Sequence, residues 1–215
     1  MSRESESGRR SGGSSGRGRR PRGTDAAASL ELDADRIKAL LGQLDARLRT
    51  RDVAAELYVV GGAAVLAATG LRRLTRDVDV AYLDPAVAHE ARLLGEEEGL
   101  PADWLSSAAG AWAPPGHHRK SPAPGPGLTV RYATSEELLA MKMIALRTQD
   151  APDIVALAVQ LGLHGGPPER FAALLRRVYP DDNALALLLG VPDDDLDQEV
   201  GAVTAAVARL TSTPT

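Results

Sequence analysis

The amino-acid sequence predicts an α+β fold, in which a small mixed β-sheet is flanked by helices and the C-terminal half is helical. Two observations support this prediction. Short β-branched segments alternate with helical segments up to residue 133, and only helical segments follow. Aromatic residues make up only 3% of the chain, so the core depends on aliphatic side chains, which suits helices packed on a small sheet.

The first elements follow from periodicity and from helix-terminating residues. Apolar residues at helical spacing, started by Asp33, predict a helix over residues 33–50. The apolar run ELYVV predicts a strand over 56–60. Small residues predict a buried helix over 63–68 that Gly70 ends, and a second strand is expected over 77–83. Pro85 and Gly99 bracket a helix over 85–98.

The later elements follow from similar signals. Residues 106–127 are rich in Ala, Pro and Gly and predict a long loop, after which a third strand is expected over 128–133. Thr134 and Glu137 have the spacing of a capping box at the start of a helix that runs to about Arg147. Further helices are expected over 152–161 and around Phe171, Leu187 and Val203.

Charge and composition divide the chain into three parts. Residues 1–29 are predicted to be a disordered basic Ser/Gly/Arg tail, since the first 23 residues contain seven Arg and two Glu. This tail is either a basic arm for nucleic-acid phosphates or a solvated extension, and we favour the extension. Residues 30–162 carry the motifs described next, and residues 163–215 are expected to form a helical region packed on them.

Composition also excludes several kinds of protein. The chain has no Cys, which excludes disulfides and thiolate zinc sites. No run of about 20 apolar residues is long enough to span a bilayer, and no apolar secretory signal begins the chain. We therefore expect a cytoplasmic protein without membrane contact. Neither a phosphate-binding P-loop nor a dinucleotide-binding glycine motif is present.

Two glycines and two aspartates are the residues that indicate a binding site for phosphate and metal. Gly61 and Gly62 join a strand directly to a helix, so an anion can approach the backbone and the free N–H groups of the helix N-terminus. Asp77 and Asp79 alternate along the next strand and therefore project from one face, while the intervening valines face the core. Convergent carboxylates beside a phosphate site suit Mg²⁺, or Mn²⁺, and Arg76 can neutralise phosphate charge.

This arrangement resembles the signature of the polymerase-β-type nucleotidyltransferase superfamily. The spacer of residues 63–76 is slightly longer than the commonest version and resembles the branch of AbiEii-like bacterial toxins and their uncharacterised relatives. A later stretch is similar to that branch's second motif, with Lys142 followed by Arg147 and then by Asp150 and Asp153. The resemblance covers about half of the chain and implies that residues 30–162 form a nucleotidyltransferase-like domain.

The resemblance implies transfer of a nucleoside monophosphate from a nucleoside triphosphate to an acceptor hydroxyl. Its implied partners are the triphosphate, RNA as a candidate acceptor and a separate antitoxin protein, because the branch includes the toxins of toxin–antitoxin pairs. The implied metal-binding residues are Asp77 and Asp79, and the implied further catalytic residues are Asp153 and Lys142. The implied nucleotide-binding residues are Gly61, Gly62, Arg76, Lys142 and Arg147.

One departure from the superfamily pattern leaves a second function open. The third acidic residue that these enzymes often supply from a later strand is missing from residues 128–132. Unless Asp150 or Asp153 reaches the site, the domain is a catalytically silent module that binds a nucleotide or a partner.

Several of these residues also have purely structural interpretations. Lys142 is equally well explained as a solvated helix residue, and Asp150 as the N-cap of the next helix, with Asp153 in its first turn. Trp104 and Trp112 are interpreted as packing residues rather than as base-stacking platforms. His117 and His118 lack a third ligand at fixed spacing, so we do not expect a zinc site there.

Overall fold

The computed structural model describes residues 31–71, 74–116 and 125–212. The predicted tail and the His117–His118 pair lie outside these ranges. Within them the chain forms eight α-helices and four β-strands. In chain order these are α1 (Ala34–Thr50), β1 (Ala54–Val60), α2 (Gly61–Thr69), β2 (Val78–Val80), α3 (Pro85–Glu98), β3 (Leu105–Ser106), β4 (Gly127–Tyr132), α4 (Ser135–Ala145), α5 (Ala151–Gln160), α6 (Pro168–Val178), α7 (Asp182–Leu189) and α8 (Leu196–Ser212).

The four strands form one mixed sheet in the order β3-β2-β1-β4. Strand β1 pairs antiparallel with β2 and parallel with β4, and β2 pairs parallel with β3. The predicted α+β class, with a small mixed sheet and a helical C-terminal half, is confirmed. The register places Asp79 opposite Val60, the last residue before the Gly61–Gly62 turn. The sheet therefore brings the two sequence motifs side by side.

Most helices begin and end where their capping residues predict. The Asp33 side chain accepts a hydrogen bond from the Arg36 N–H at the start of α1. Asp84 and Pro85 begin α3, and Gly99 ends it in the left-handed conformation. The capping box of Thr134 and Glu137 is present at the start of α4. Local side-chain chemistry therefore sets these boundaries.

The structure corrects the prediction for the region between β2 and β4. Strand β2 is only three residues long and does not extend over 77–83. The stretch predicted as a loop over 106–127 includes the end of β3 and a 3₁₀ helix, Ala108–Trp112. The added Cβ of any larger residue at Gly110 would lie 2.5 Å from the backbone oxygen of Ala81, so Gly110 permits this 3₁₀ helix to pack against the end of β2. Its position depends on tertiary packing, which composition does not reveal.

The C-terminal helices pack on the helices that follow the sheet. Helix α6 contacts α4 and α8, and α5 contacts α8. Phe171 and Leu175 of α6 are fully buried, as is Val207 of α8. None of the helices in the described part of the chain is long and apolar enough to cross a membrane.

Candidate functional site

A pocket of about 290 Å³ lies where the start of α2, strand β2 and helix α4 meet. This volume is just below the range of about 300–1,000 Å³ that is usual for small-ligand sites. Its polar lining comprises Gly61, Gly62, Thr75, Asp77, Asp79, Lys142, Arg147, Gln149 and Asp150. Its apolar lining comprises Ala109, Trp112, Leu138, Met141 and Ala145.

Gly61 occupies a position that only glycine fits. It begins α2 with φ of +63°, in the left-handed region that other residues adopt at a cost. A Cβ added at this position would lie 2.8 Å from the Oδ2 atom and 3.2 Å from the Cβ atom of Asp79, so the Asp79 side chain would have to shift. The backbone thus approaches the carboxylate directly. Val60 is the N-cap of α2 and provides no side-chain hydrogen bond to the helix N-terminus, which faces the pocket through Gly61 and Gly62.

The two aspartates of the second motif both line the pocket. The alternating valines Val78 and Val80 are fully buried, which fixes the opposite face of β2 in the core. The Ser106 hydroxyl on β3 donates a hydrogen bond to the Oδ1 atom of Asp79 at 3.1 Å. The Thr75 hydroxyl donates to the backbone oxygen of Asp77 at 3.3 Å. The neighbouring strand and the preceding loop therefore hold the aspartates in place.

The environment of Asp79 opposes its ionisation. Burial raises the pKa of this carboxyl above its ordinary value, and the nearby charge of Asp77 raises the pKa further. The Ser106 hydrogen bond and the positive charges of Lys142 and Arg147 act in the opposite direction. A cation bound between the two carboxylates would offset both the energetic cost of burying the Asp79 charge and the repulsion between Asp77 and Asp79.

Lys142 forms the cationic part of the pocket. Its ammonium group pairs with the Asp150 carboxylate and lies 3.0 Å from the Oδ2 atom of Asp153. Its side chain is only 13% exposed, so the interpretation as a solvated helix residue is wrong. Asp150 precedes α5 but makes no side-chain cap hydrogen bond, because its carboxylate is directed to Lys142. The later motif is thus an ion-paired cluster that connects α4 to the start of α5.

The structure does not bring every predicted residue to the pocket wall. Asp153 is completely buried behind Lys142 and does not line the pocket. Arg76 is exposed and also lies outside the lining. Any effect of Asp153 on the pocket therefore acts through Lys142.

Sequence reasoning overlooked other residues that line the pocket or hold its aspartates. Ser106 holds Asp79 from a strand of only two residues, which carries too weak a pattern to be recognised. Trp112, interpreted only as a packing residue, lines the pocket, and so does Gln149. The rarity of aromatic residues in this chain is the one signal that singles out Trp112.

The carboxylates of the pocket suit a metal ion that is bound together with another ligand, such as a phosphate group. Among the residues that the structure describes, no group of three or more His, Cys, Asp or Glu side chains is arranged to hold a metal. Asp77 and Asp79 offer two carboxylates beside the close approach at Gly61. Mg²⁺ is commonly held by one or two carboxylates, with phosphate oxygens and waters as its remaining ligands. These residues therefore suit a metal–phosphate complex better than a permanently bound ion.

Comparison with protein-family models, with curated proteins and with solved structures found no match to this chain. The assignment of a function consequently rests on the pocket and on its residues.

Proposed function

We propose that this protein is a metal-dependent nucleotidyltransferase, which transfers a nucleoside monophosphate from a nucleoside triphosphate to an acceptor hydroxyl. One observation carries the proposal. A single pocket combines the Gly61 close approach, the Asp77 and Asp79 carboxylates, and the cations Lys142 and Arg147. This combination provides separate ligands for a divalent cation and for phosphate groups.

In this proposal, the acidic residues of the pocket bind the metal, and its N–H groups and basic residues bind the phosphates. Asp77 and Asp79 would hold the metal, which supplies Lewis-acid stabilisation of charge on the phosphates when bound. The free N–H groups at the start of α2 would bind phosphate oxygens. Arg147 lines the same pocket and would offset part of the remaining negative charge of a triphosphate. Lys142 also lines it, but its ammonium is shared with Asp150 and Asp153 and would contact phosphate only as a further partner of that cluster.

The proposed reaction is a displacement at the α-phosphorus. The acceptor oxygen forms a bond to this phosphorus, the bond to the pyrophosphate leaving group breaks, and the hydroxyl proton passes to a base. Because Asp79 would hold the metal, solvent water rather than this carboxylate is the candidate base. Asp150 lines the pocket as well, but its carboxylate is paired with Lys142.

A specific observation favours the alternative, a catalytically silent nucleotide- or partner-binding module. The strand beside β2 places Ser106, not an acid, in register with Asp79. Asp150 and Asp153, the acids of the later motif, are both ion-paired with Lys142. On this alternative the pocket binds a metal–nucleotide complex but lacks the third carboxylate that would activate the acceptor.

Label transfer distinguishes the two functions. The protein is incubated with Mg²⁺ or Mn²⁺, with each nucleoside triphosphate labelled at the α- or the γ-phosphate, and with total RNA or a protein extract as acceptor. Nucleotidyl transfer delivers the α-label and not the γ-label. We expect the Asp77→Asn/Asp79→Asn double variant to be inactive, whereas Asp193→Asn, which changes an exposed carboxylate outside the pocket, retains activity.

The same double variant serves as the control for two further tests, of the acceptor class and of the biological role. We propose RNA as the acceptor and a toxin role for the protein, countered by a separate antitoxin. If both are correct, α-label appears on RNA, and expression of the wild type but not of the double variant arrests growth. Metal-dependent nucleotide binding without any label transfer would instead support the silent module.

A further inference from the structure

Trp112 stands out among the pocket residues because neither metal binding nor phosphate binding accounts for an aromatic side chain in the lining. It ends the 3₁₀ helix Ala108–Trp112, is half-buried and lines the pocket. Ala109 and Met141 belong to the same apolar part of the lining. A pocket that held only a metal and phosphates would not require an apolar wall.

Two contacts fix the backbone of this wall. Gly110 packs so closely on β2 that an added Cβ would lie 2.5 Å from the Ala81 oxygen. The Tyr179 hydroxyl donates a hydrogen bond to the backbone oxygen of Trp112 at 2.5 Å, and Tyr179 is only 1% exposed. The backbone of Trp112 is therefore held by contacts to the sheet and to the C-terminal region, while its half-buried side chain packs against the core and also lines the pocket.

We infer that Trp112 is the residue on which the nucleobase of the bound nucleotide stacks. This inference rests on the proposed function, because it assumes that a nucleoside triphosphate occupies the pocket. A nucleotide carries an anionic end and a flat ring with apolar faces, and the pocket lining contains both charged and apolar residues. Aromatic side chains stack on any base because every base has a π-face, so Trp112 contributes affinity for nucleosides without selecting one base.

The chain provides a direct reporter, since Trp104 and Trp112 are its two tryptophans. Trp104 is buried, and its indole N–H donates to the Ala91 oxygen at 2.8 Å. Fluorescence titrations are made with Mg²⁺ and either a nucleoside triphosphate or inorganic triphosphate, which lacks a base. The proteins compared are the wild type, Trp112→Phe, which keeps an aromatic face, and Trp112→Leu, which keeps only apolar bulk.

The inference predicts a specific pattern. The nucleotide quenches the fluorescence of the wild type, inorganic triphosphate does so much less, and the quench disappears in Trp112→Phe, where Trp104 alone remains. By calorimetry, Trp112→Leu binds the nucleotide about tenfold more weakly, Trp112→Phe binds it nearly as well as the wild type, and both variants bind inorganic triphosphate like the wild type.

Two results would overturn the inference, and they are distinguishable. Metal-dependent nucleotide binding that is equal in the wild type and Trp112→Leu would refute stacking and leave the proposed function intact. No metal-dependent binding of either triphosphate by the folded wild type would refute both. Circular dichroism establishes that each variant is folded before it is titrated.

Discussion

At the scale of single residues, the environment of Asp79 lowers the folding stability of the unliganded protein. Its pKa is raised by burial and by the charge of Asp77. A carboxyl whose pKa is higher in the folded state than in the unfolded state lowers the stability of the fold as the pH rises from the unfolded to the folded pKa. The destabilisation begins as the pH rises through the unfolded value, about 3.9, and is complete above the folded pKa.

Replacing Asp79 with Asn is therefore expected to raise the thermal stability of the unliganded protein at pH 7. Asn keeps an oxygen that can accept the Ser106 hydrogen bond but carries no charge. The difference in melting temperature from the wild type should shrink as the pH falls toward 4. Thermal unfolding across this pH range tests the prediction, with Asp193→Asn as a control for an exposed carboxylate. An Asp79→Asn protein that melts below the wild type at pH 7 would contradict this account of Asp79.

Gly61 permits a second prediction, because Gly70 offers a matched control. Both glycines have a left-handed backbone, with φ of +63° and +66°, but an added Cβ at Gly70 would meet nothing within 4 Å. Gly70→Ala is expected to cost about 1 kcal/mol of folding free energy, for the backbone conformation alone. Gly61→Ala should cost more and should also weaken metal–nucleotide binding, because it displaces the Asp79 carboxylate. Urea unfolding and calorimetry measure both effects, and equal behaviour of the two variants would refute the close-approach argument.

At the scale of elements, the ion-paired cluster joins α4 to the start of α5. Lys142 is the cation shared by two carboxylates that are almost or completely buried, Asp150 and Asp153. Removing one partner from a buried ion pair is far more costly than removing one from the surface. The cluster therefore has a structural role in addition to any contact with phosphate.

Lys142→Met is expected to lower the free energy of unfolding by about 3 kcal/mol at neutral pH. Lys38→Met, which changes an exposed lysine on α1, should change it by less than about 0.5 kcal/mol. Urea denaturation of both variants provides the comparison. A similar, small effect at the two positions would show that the cluster does not stabilise the junction.

The elements also show what the sequence could and could not predict. Helix boundaries were predictable because capping is local, as Asp33, the Thr134–Glu137 box and Gly99 illustrate. The position of Asp77 and Asp79 on the face opposite Val78 was predictable because strand alternation fixes which side chains share a face.

The remaining features of the site depend on contacts between distant segments. Strand β3 contains two residues and gives no periodicity, and the 3₁₀ helix after it depends on the contact between Gly110 and Ala81. For this reason the hydrogen bond from Ser106 and the place of Trp112 in the pocket could not be derived from the sequence. The reach of the Lys142 ammonium to both Asp150 and Asp153 likewise required the relative placement of α4 and α5.

At the scale of the whole molecule, the C-terminal region contributes to the pocket from a distance. Tyr179 follows α6 and is buried, and its hydroxyl reaches the backbone of Trp112. This contact ties the helical region to the wall of the pocket. The C-terminal helices therefore support the site as well as cover the core.

Tyr179→Phe removes this hydrogen bond while it keeps the packed ring. We expect it to lower the free energy of unfolding by about 1 kcal/mol, the usual net value of such a bond, and to weaken nucleotide binding. Tyr82→Phe, which changes a tyrosine with an exposed side chain, is the matched control and should leave both quantities unchanged. Unchanged nucleotide affinity in Tyr179→Phe would mean that the C-terminal region does not support the pocket.

The most direct test of the central claim is a calorimetric titration of the protein with nucleoside triphosphates, with Mg²⁺ present and with Mg²⁺ chelated. The account predicts binding that requires the metal and that falls at least about tenfold, or about 1.4 kcal/mol, in the Asp77→Asn/Asp79→Asn double variant. Nucleotide binding that is equally strong without the metal and in the double variant would contradict it. In that event the two aspartates do not form a metal–nucleotide site.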